Sequence, residues 1–174
     1  KLNGYRLQDE PGKITFVDTE VVKEGAASLR FENFPIHPAG NARLMQEIEV
    51  KPYRQYRVSF WVKTEQLAPA SAFRLQVLDT ASRALAPWDP LLPATADWRQ
   101  LTWGFNSANR DRVRIYVGVW AGRSGKFWVD DLRVEEIGLL NIVRRPGTPV
   151  RVRGDESGLE YEEGRDYVPV ADPR

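Results

Sequence analysis

The feature that most constrains this chain is its alternation. In "QYRVSFWVKTE", Tyr56, Val58, Phe60 and Val62 fall on one phase. The same period of two recurs in "SLRFENF", where Leu29 and Phe31 alternate with Arg30 and Glu32. It recurs in "AFRLQVLD" with Phe73, Leu75 and Val77, in "WRQLTWGFNS" with Leu101, Trp103 and Phe105, and in "VRIYVGVW" with Val113, Ile115, Val117 and Val119. "GKITFVDTEVV", "LMQEIEV" and "GKFWVDDLRVEE" complete the series. Successive side chains of a strand point to opposite faces, so each run is apolar on one side. Turn signals such as "KPYRQ", "LAPASA", "PWDPLLPATAD" and "AGRSGK" separate the runs, and no long stretch carries a helical period. About eight such strands must hide their apolar faces against one another. The chain is therefore expected to be all-β, an antiparallel β-sandwich of the jelly-roll type.

One strand breaks its own rule. In "GKFWVDDLRVEE", Phe127 and Val129 occupy odd positions, whereas Leu132 and Val134 occupy even ones. Two readings fit. An extra residue at Asp130–Asp131, a β-bulge, would reset the phase. Alternatively the even phase holds throughout, and Asp130 shares an apolar face with Trp128, Leu132 and Val134. In either case a carboxylate stands at a fixed place beside the sheet and needs a partner. A hard cation would satisfy it, and so would hydrogen bonds or a salt bridge from a loop.

Charge and composition exclude several functions. The 25 basic and 24 acidic side chains leave a formal charge of +1. A dedicated binder of nucleic acid or of an anionic membrane needs a basic excess. No apolar run is long enough to cross a bilayer, and the opening "KLNGYRLQDE" has no signal-peptide pattern. Without Cys there is no thiol chemistry. The single histidine, His37, sits between prolines in "FPIHPAG" and reads as a surface loop residue. No nucleophile elbow, zinc motif or phosphate loop is present. Glu47 and Glu49 read as a solvated strand face. The chain is not expected to be an enzyme.

After Gly138 the texture changes to charge, Pro and Gly. Residues 1–138 are read as the sandwich. Residues 139–174 are read as a linker or hairpin, with "VRVRGDESGLEYEEGRDYVPV" able to turn around Gly154 to Gly158. The other reading packs this tail on the sandwich as extra strands.

The succession "KEGAASLRFEN", "QEIEVKPYRQYRVSFWVKTE", "DWRQLTWGFNS" and "RIYVGVWAGRSGKFWVDDLRVEE" resembles the galactose-binding-domain-like jelly rolls. More narrowly, it resembles the carbohydrate-binding modules attached to bacterial glycoside hydrolases. The similarity spans roughly residues 13–138, with "SGKFWVDDLRVE" its most specific part. The resemblance implies a structural Ca²⁺ held by Asp130, with Asp18, Glu20 and the backbone around Lys23 as further ligands. It also implies a covalently attached catalytic domain and a secreted or extracytoplasmic, bacterial setting.

A sugar presents C–H faces that stack on aromatic rings, and hydroxyls that pair with planar polar groups. Large rings out of phase with the core are therefore informative. Trp61, Tyr116 and Trp120 are such rings, interleaved with Arg74, Gln76 and Arg114, and Gly118 would leave room for a ring. These residues are expected to share one sheet face as a groove for a polysaccharide or oligosaccharide. Trp88, in the long loop, would be either a ring closing over the groove or an apolar plug. Trp98 and Trp103 are assigned to packing. The rival readings are that these rings form a small second core, and that the sandwich docks on its own catalytic domain and binds no sugar.

Overall fold

The computed structural model describes residues 5–137, 151–154 and 156–169. Ten strands run in order: β1 (Tyr5–Leu7), β2 (Thr15–Asp18), β3 (Ser28–Phe31), β4 (Ala42–Glu49), β5 (Gln55–Ala68), β6 (Phe73–Asp79), β7 (Ala84–Trp88), β8 (Ala96–Asn106), β9 (Arg112–Val119) and β10 (Ser124–Ile137). They form two five-stranded antiparallel sheets. Sheet A has the order β1-β4-β9-β6-β7 and sheet B the order β2-β3-β10-β5-β8. The fold is the expected β-sandwich. β1 and β7 are additions to the strands read from sequence. β7 lies within the stretch taken as a long loop, at the edge of sheet A, where Pro87 is tolerated because only one side of the strand needs ladder bonds.

The alternating apolar residues meet where the sequence placed them. Val113, Ile115, Val117 and Val119 of β9 and Phe73, Leu75 and Val77 of β6 are buried against Tyr56, Val58, Phe60 and Val62 of β5. Rings lock the two layers. Phe127 of β10 stacks on Phe31 at 4.6 Å and meets Phe73 of the opposite sheet edge-on at 5.3 Å. Such pairs contribute about 1 kcal/mol beyond their burial.

The phase slip in β10 is a bulge. Asp130 faces Trp61 of β5 and Arg133 faces Ser59, so Asp131 and Leu132 share the single residue between them. Asp131 takes the left-handed conformation, φ 50°, and Leu132 returns to the core. The alternative in which Trp128, Asp130, Leu132 and Val134 share one face is thus corrected. Trp128 and Asp130 pair with Lys63 and Trp61 on the outer face of sheet B.

In the tail, β11 (Val152–Arg153) and β12 (Glu160–Tyr161) form a two-stranded sheet of their own. The turn is closed by the Gly154 N–H on the Leu159 carbonyl and the Gly158 N–H on the Gly154 carbonyl. Of the linker or hairpin expected over 139–174, residues 139–150, 155 and 170–174 lie outside the described residues.

Candidate functional site

The outer face of sheet A collects most of the residues expected to bind sugar. Register places Gln76 beside Tyr116, Tyr116 beside Met45, and Arg74 beside Gly118, which in turn faces Arg43. Arg114 and Glu47 form the neighbouring pair. Trp120 continues the outer phase of β9 one residue beyond its end, and its ring centroid is 5.8 Å from the Arg43 guanidinium carbon. The alternation of β6 and β9 puts their branched residues inward and these side chains outward.

Charge on this face is largely internally paired. Arg114 Nε donates to Glu47 at 2.9 Å, and Arg112 bonds Glu49. The Arg114 hydrogen bond holds the Glu47 carboxyl below its ordinary value, against the opposing effect of burial. Glu47 is thus an ion-paired, half-buried acid, whereas Glu49 is exposed as expected. Arg74 has only the exposed Asp89, at 3.6 Å. The Tyr116 hydroxyl, the Gln76 amide and the Trp120 indole N–H make no hydrogen bond to protein groups among the described residues. What the face offers is two half-exposed rings, uncommitted neutral donors and acceptors, the lightly engaged Arg74 and, on β1 opposite Met45, the exposed Arg6.

Two expected members are elsewhere. Trp61 belongs to β5 of sheet B, so it points from the opposite side of the sandwich and does not share a face with Tyr116 and Trp120. Alternation specifies inward against outward within a strand, but not to which sheet the strand belongs. Trp88 faces Leu75 of β6, on the core side. Its ring stacks on Trp103 at 6.4 Å, closing the sandwich edge between β7 and β8. It is the apolar plug of the two alternatives. Trp103 packs on the core as assigned, whereas Trp98 is half-buried beside the irregularity in β8 and is absent from the core cluster. Gly118 does leave room, but for backbone: a Cβ there would lie 2.2 Å from the Ala42 carbonyl oxygen of β4.

The residues that the resemblance named for Ca²⁺ also converge. The loop after β2 folds back on the outer face of sheet B, and the Lys23 and Glu24 N–H groups donate to Asp130 Oδ2 at 2.8 and 2.9 Å. Asp130 Oδ1 accepts the Asp131 N–H at 2.8 Å. Asp18 accepts the Glu20 and Val21 N–H groups, the Trp128 indole N–H and an Arg30 N–H. Burial pushes the Asp18 carboxyl up. The Trp128, Val21 and Glu20 hydrogen bonds and the Arg30 charge outweigh it and hold that carboxyl below its ordinary value. A hard cation needs these oxygens, and carbonyls turned toward it. Here Lys23 presents its N–H, Glu20 is exposed, and both carboxylates are already ringed by donors. Among the described residues, no group of three or more His, Asp or Glu side chains is set to hold a metal. This donor set does not fit Ca²⁺. The loop is fastened by hydrogen bonds instead.

Solved structures share this architecture. The fold is that of the carbohydrate-binding modules. A family 61 carbohydrate-binding module, solved with beta-1,4-galactotriose, superposes with a TM-score of 0.56 at 19% identity, covering 79% of this chain and 91% of that one. The family 22 xylan-binding domain of a Paenibacillus barcinonensis protein gives 0.51 at 13% identity, over 80% and 89%. The family 22 and family 10 hydrolase modules of a Clostridium thermocellum xylanase, solved with xylohexaose, give 0.52 at 18% identity, over 82% of this chain but 27% of that one. No protein-family profile and no curated protein sequence matches the chain.

Proposed function

We propose that this chain is a non-catalytic polysaccharide-binding module whose ligand lies along the outer face of sheet A. The observation that carries the reading is the placement of Tyr116 and Trp120 on that face, half-exposed, beside the unengaged Gln76 amide and the lightly paired Arg74. A ring left partly in water gains by stacking on a sugar. The hydroxyls of that sugar find planar donors within the same register rows. The fold shared with carbohydrate-binding modules, some of them in one chain with a hydrolase domain, supports the same role. The module would hold an attached carbohydrate-active enzyme near its substrate outside the cytoplasm. Tethering raises local concentration, so weak binding suffices. No helix among the described residues is long and apolar enough to cross a membrane.

The test is affinity electrophoresis of the chain against soluble xylans, galactans, arabinans, glucans and polyuronates. Retardation by at least one of them, abolished in the folded double variant Tyr116→Ala, Trp120→Ala, is the expected result. Unchanged retardation of that variant would move the site off this face.

A further inference from the structure

The only histidine and a buried aspartate belong to an arrangement at the rim of this face. We infer that Asp9, Arg43 and Trp120 form an end subsite for a neutral sugar unit, in which Arg43, forked onto Asp9, fixes the indole ring on which the sugar stacks. The inference rests on the reading of the outer face of sheet A as a polysaccharide site.

Asp9 follows β1, and its side chain is only 1% exposed. A buried carboxylate must be answered by donors. Arg43 answers with a fork: Nε reaches Oδ2 at 3.0 Å and Nη2 reaches Oδ1 at 2.9 Å. Two parallel bonds fix the plane of a guanidinium as a single bond cannot. His37 closes the other side, its Nε2 3.5 Å from Asp9 Oδ1. Its Nδ1 accepts the Ala39 and Asn41 N–H groups at 3.0 and 3.4 Å, so the proton of the neutral ring is on Nε2, facing Asp9. The same loop is tied to the turn after Trp120: the Gly122 N–H donates to the Gly40 carbonyl at 2.8 Å. Asp9, His37, Arg43 and Trp120 thus stand on segments bonded to one another.

The fork uses Nε and Nη2. Nη1 makes no hydrogen bond to a protein group among the described residues. The guanidinium carbon is 5.8 Å from the Trp120 centroid, so Arg43 covers one side of a ring that is otherwise half-exposed. Gly118, opposite Arg43, adds no side chain to the row. A pyranose or furanose would stack on the exposed surface of this ring while Arg43 holds the ring from behind. Asp9 neutralises the guanidinium charge, so the subsite favours a hydroxyl over a carboxylate.

The experiment uses the whole chain labelled with 5-fluorotryptophan, together with the polysaccharide that retards the parent most. Arg43→Lys keeps a cation for Asp9 but removes the fork that orients the guanidinium on the ring. Arg43→Gln removes the charge as well. In both, the fluorine resonance of Trp120 should shift or broaden without ligand, while those of Trp61 and Trp103 stay in place. Affinity should fall about tenfold, because the ring on which the sugar stacks loses its fixed orientation. Binding of the folded Arg43→Lys chain within about twofold of the parent, with Trp120→Ala still losing retention, would overturn the subsite alone. If Trp120→Ala and Tyr116→Ala bind as the parent does, the proposed site itself is wrong and the subsite goes with it.

Discussion

The Trp128 indole N–H donates to Asp18 Oδ2 at 3.0 Å, joining β10 to β2 across the intervening β3. Trp128 is 2% exposed although it points away from the core. Its row explains this. Phe16, Arg30, Trp128 and Lys63 face one another in turn across β2, β3, β10 and β5. The Arg30 guanidinium lies 5.0 Å from the Phe16 ring, and Lys126 lies 5.3 Å from the Trp128 ring. Aromatic and cationic side chains here cover each other. Trp128→Phe should cost about 1–2 kcal/mol, mostly the bond lost at Asp18 Oδ2, which then keeps only Arg30 at 3.3 Å, and Asp18→Ala about 2–3 kcal/mol, because it strands several donors. Urea denaturation measures both. Equal stability of Trp128→Phe and the parent would show that the bond is not made in solution.

Acid should weaken the fold through Asp79. At the end of β6 its Oδ1 accepts the Ala81 and Arg83 N–H groups, and its Oδ2 accepts Arg83 and Arg110 Nε at 2.8 and 3.1 Å. The backbone bond from Arg83 leads, burial opposes, and the two guanidinium groups add to the lowering. The carboxyl is held at about 2 against an ordinary 3.8. A folded value below the unfolded one means stabilisation that is complete above pH 3.8 and is lost as pH falls toward 2. The stability gap between the parent and Asp79→Asn should therefore narrow over that window and be constant above it. A gap independent of pH in denaturant titrations would contradict the assignment.

Asp130 should be required whether or not calcium is present. Asp130→Ala releases the N–H groups of Lys23, Glu24 and Asp131 and should cost about 3 kcal/mol. Chelator should leave the melting temperature of the parent unchanged, and added Ca²⁺ should protect neither protein. A rise of several degrees with Ca²⁺ in the parent alone would show that the loop rearranges to expose carbonyls.

Much of this was legible in the sequence, and what was not has physical causes. Period two marks which residues of β5, β6 and β9 face inward, and the slip at Asp130–Asp131 marks the bulge. Sheet membership is a long-range property: Trp61 and Tyr116 have the same local signature, yet β5 pairs with β10 and β9 with β4. Trp88 stayed open between groove ring and plug because Ala84–Trp88 is a short edge strand carrying Pro87, without a clear period. The Asp9–Arg43–His37 cluster joins segments 34 residues apart, and only the isolation of a lone histidine in a turn-rich loop hinted at it.

Trp61 now separates the two faces experimentally. Its ring carries Lys23 Nζ at 4.2 Å and lies opposite Asp130 and Gln100, so it belongs to the seam that fastens the loop after β2. Trp61→Ala should cost stability on the order of 1–2 kcal/mol, from partial burial and the lost cation–π contact. It should leave polysaccharide retention unchanged. Tyr116→Ala and Trp120→Ala should do the reverse: retention falls sharply, and stability moves by well under the ~3–5 kcal/mol of deleting a core aromatic. Retention should depend weakly on salt, because Arg43, Arg112 and Arg114 are already paired with Asp9, Glu49 and Glu47. Loss of binding in Trp61→Ala with Trp120→Ala unaffected would transfer the site to sheet B. A steep salt dependence abolished by Arg74→Gln or Arg6→Gln would mean that an arginine without a strong partner on this face meets a uronate.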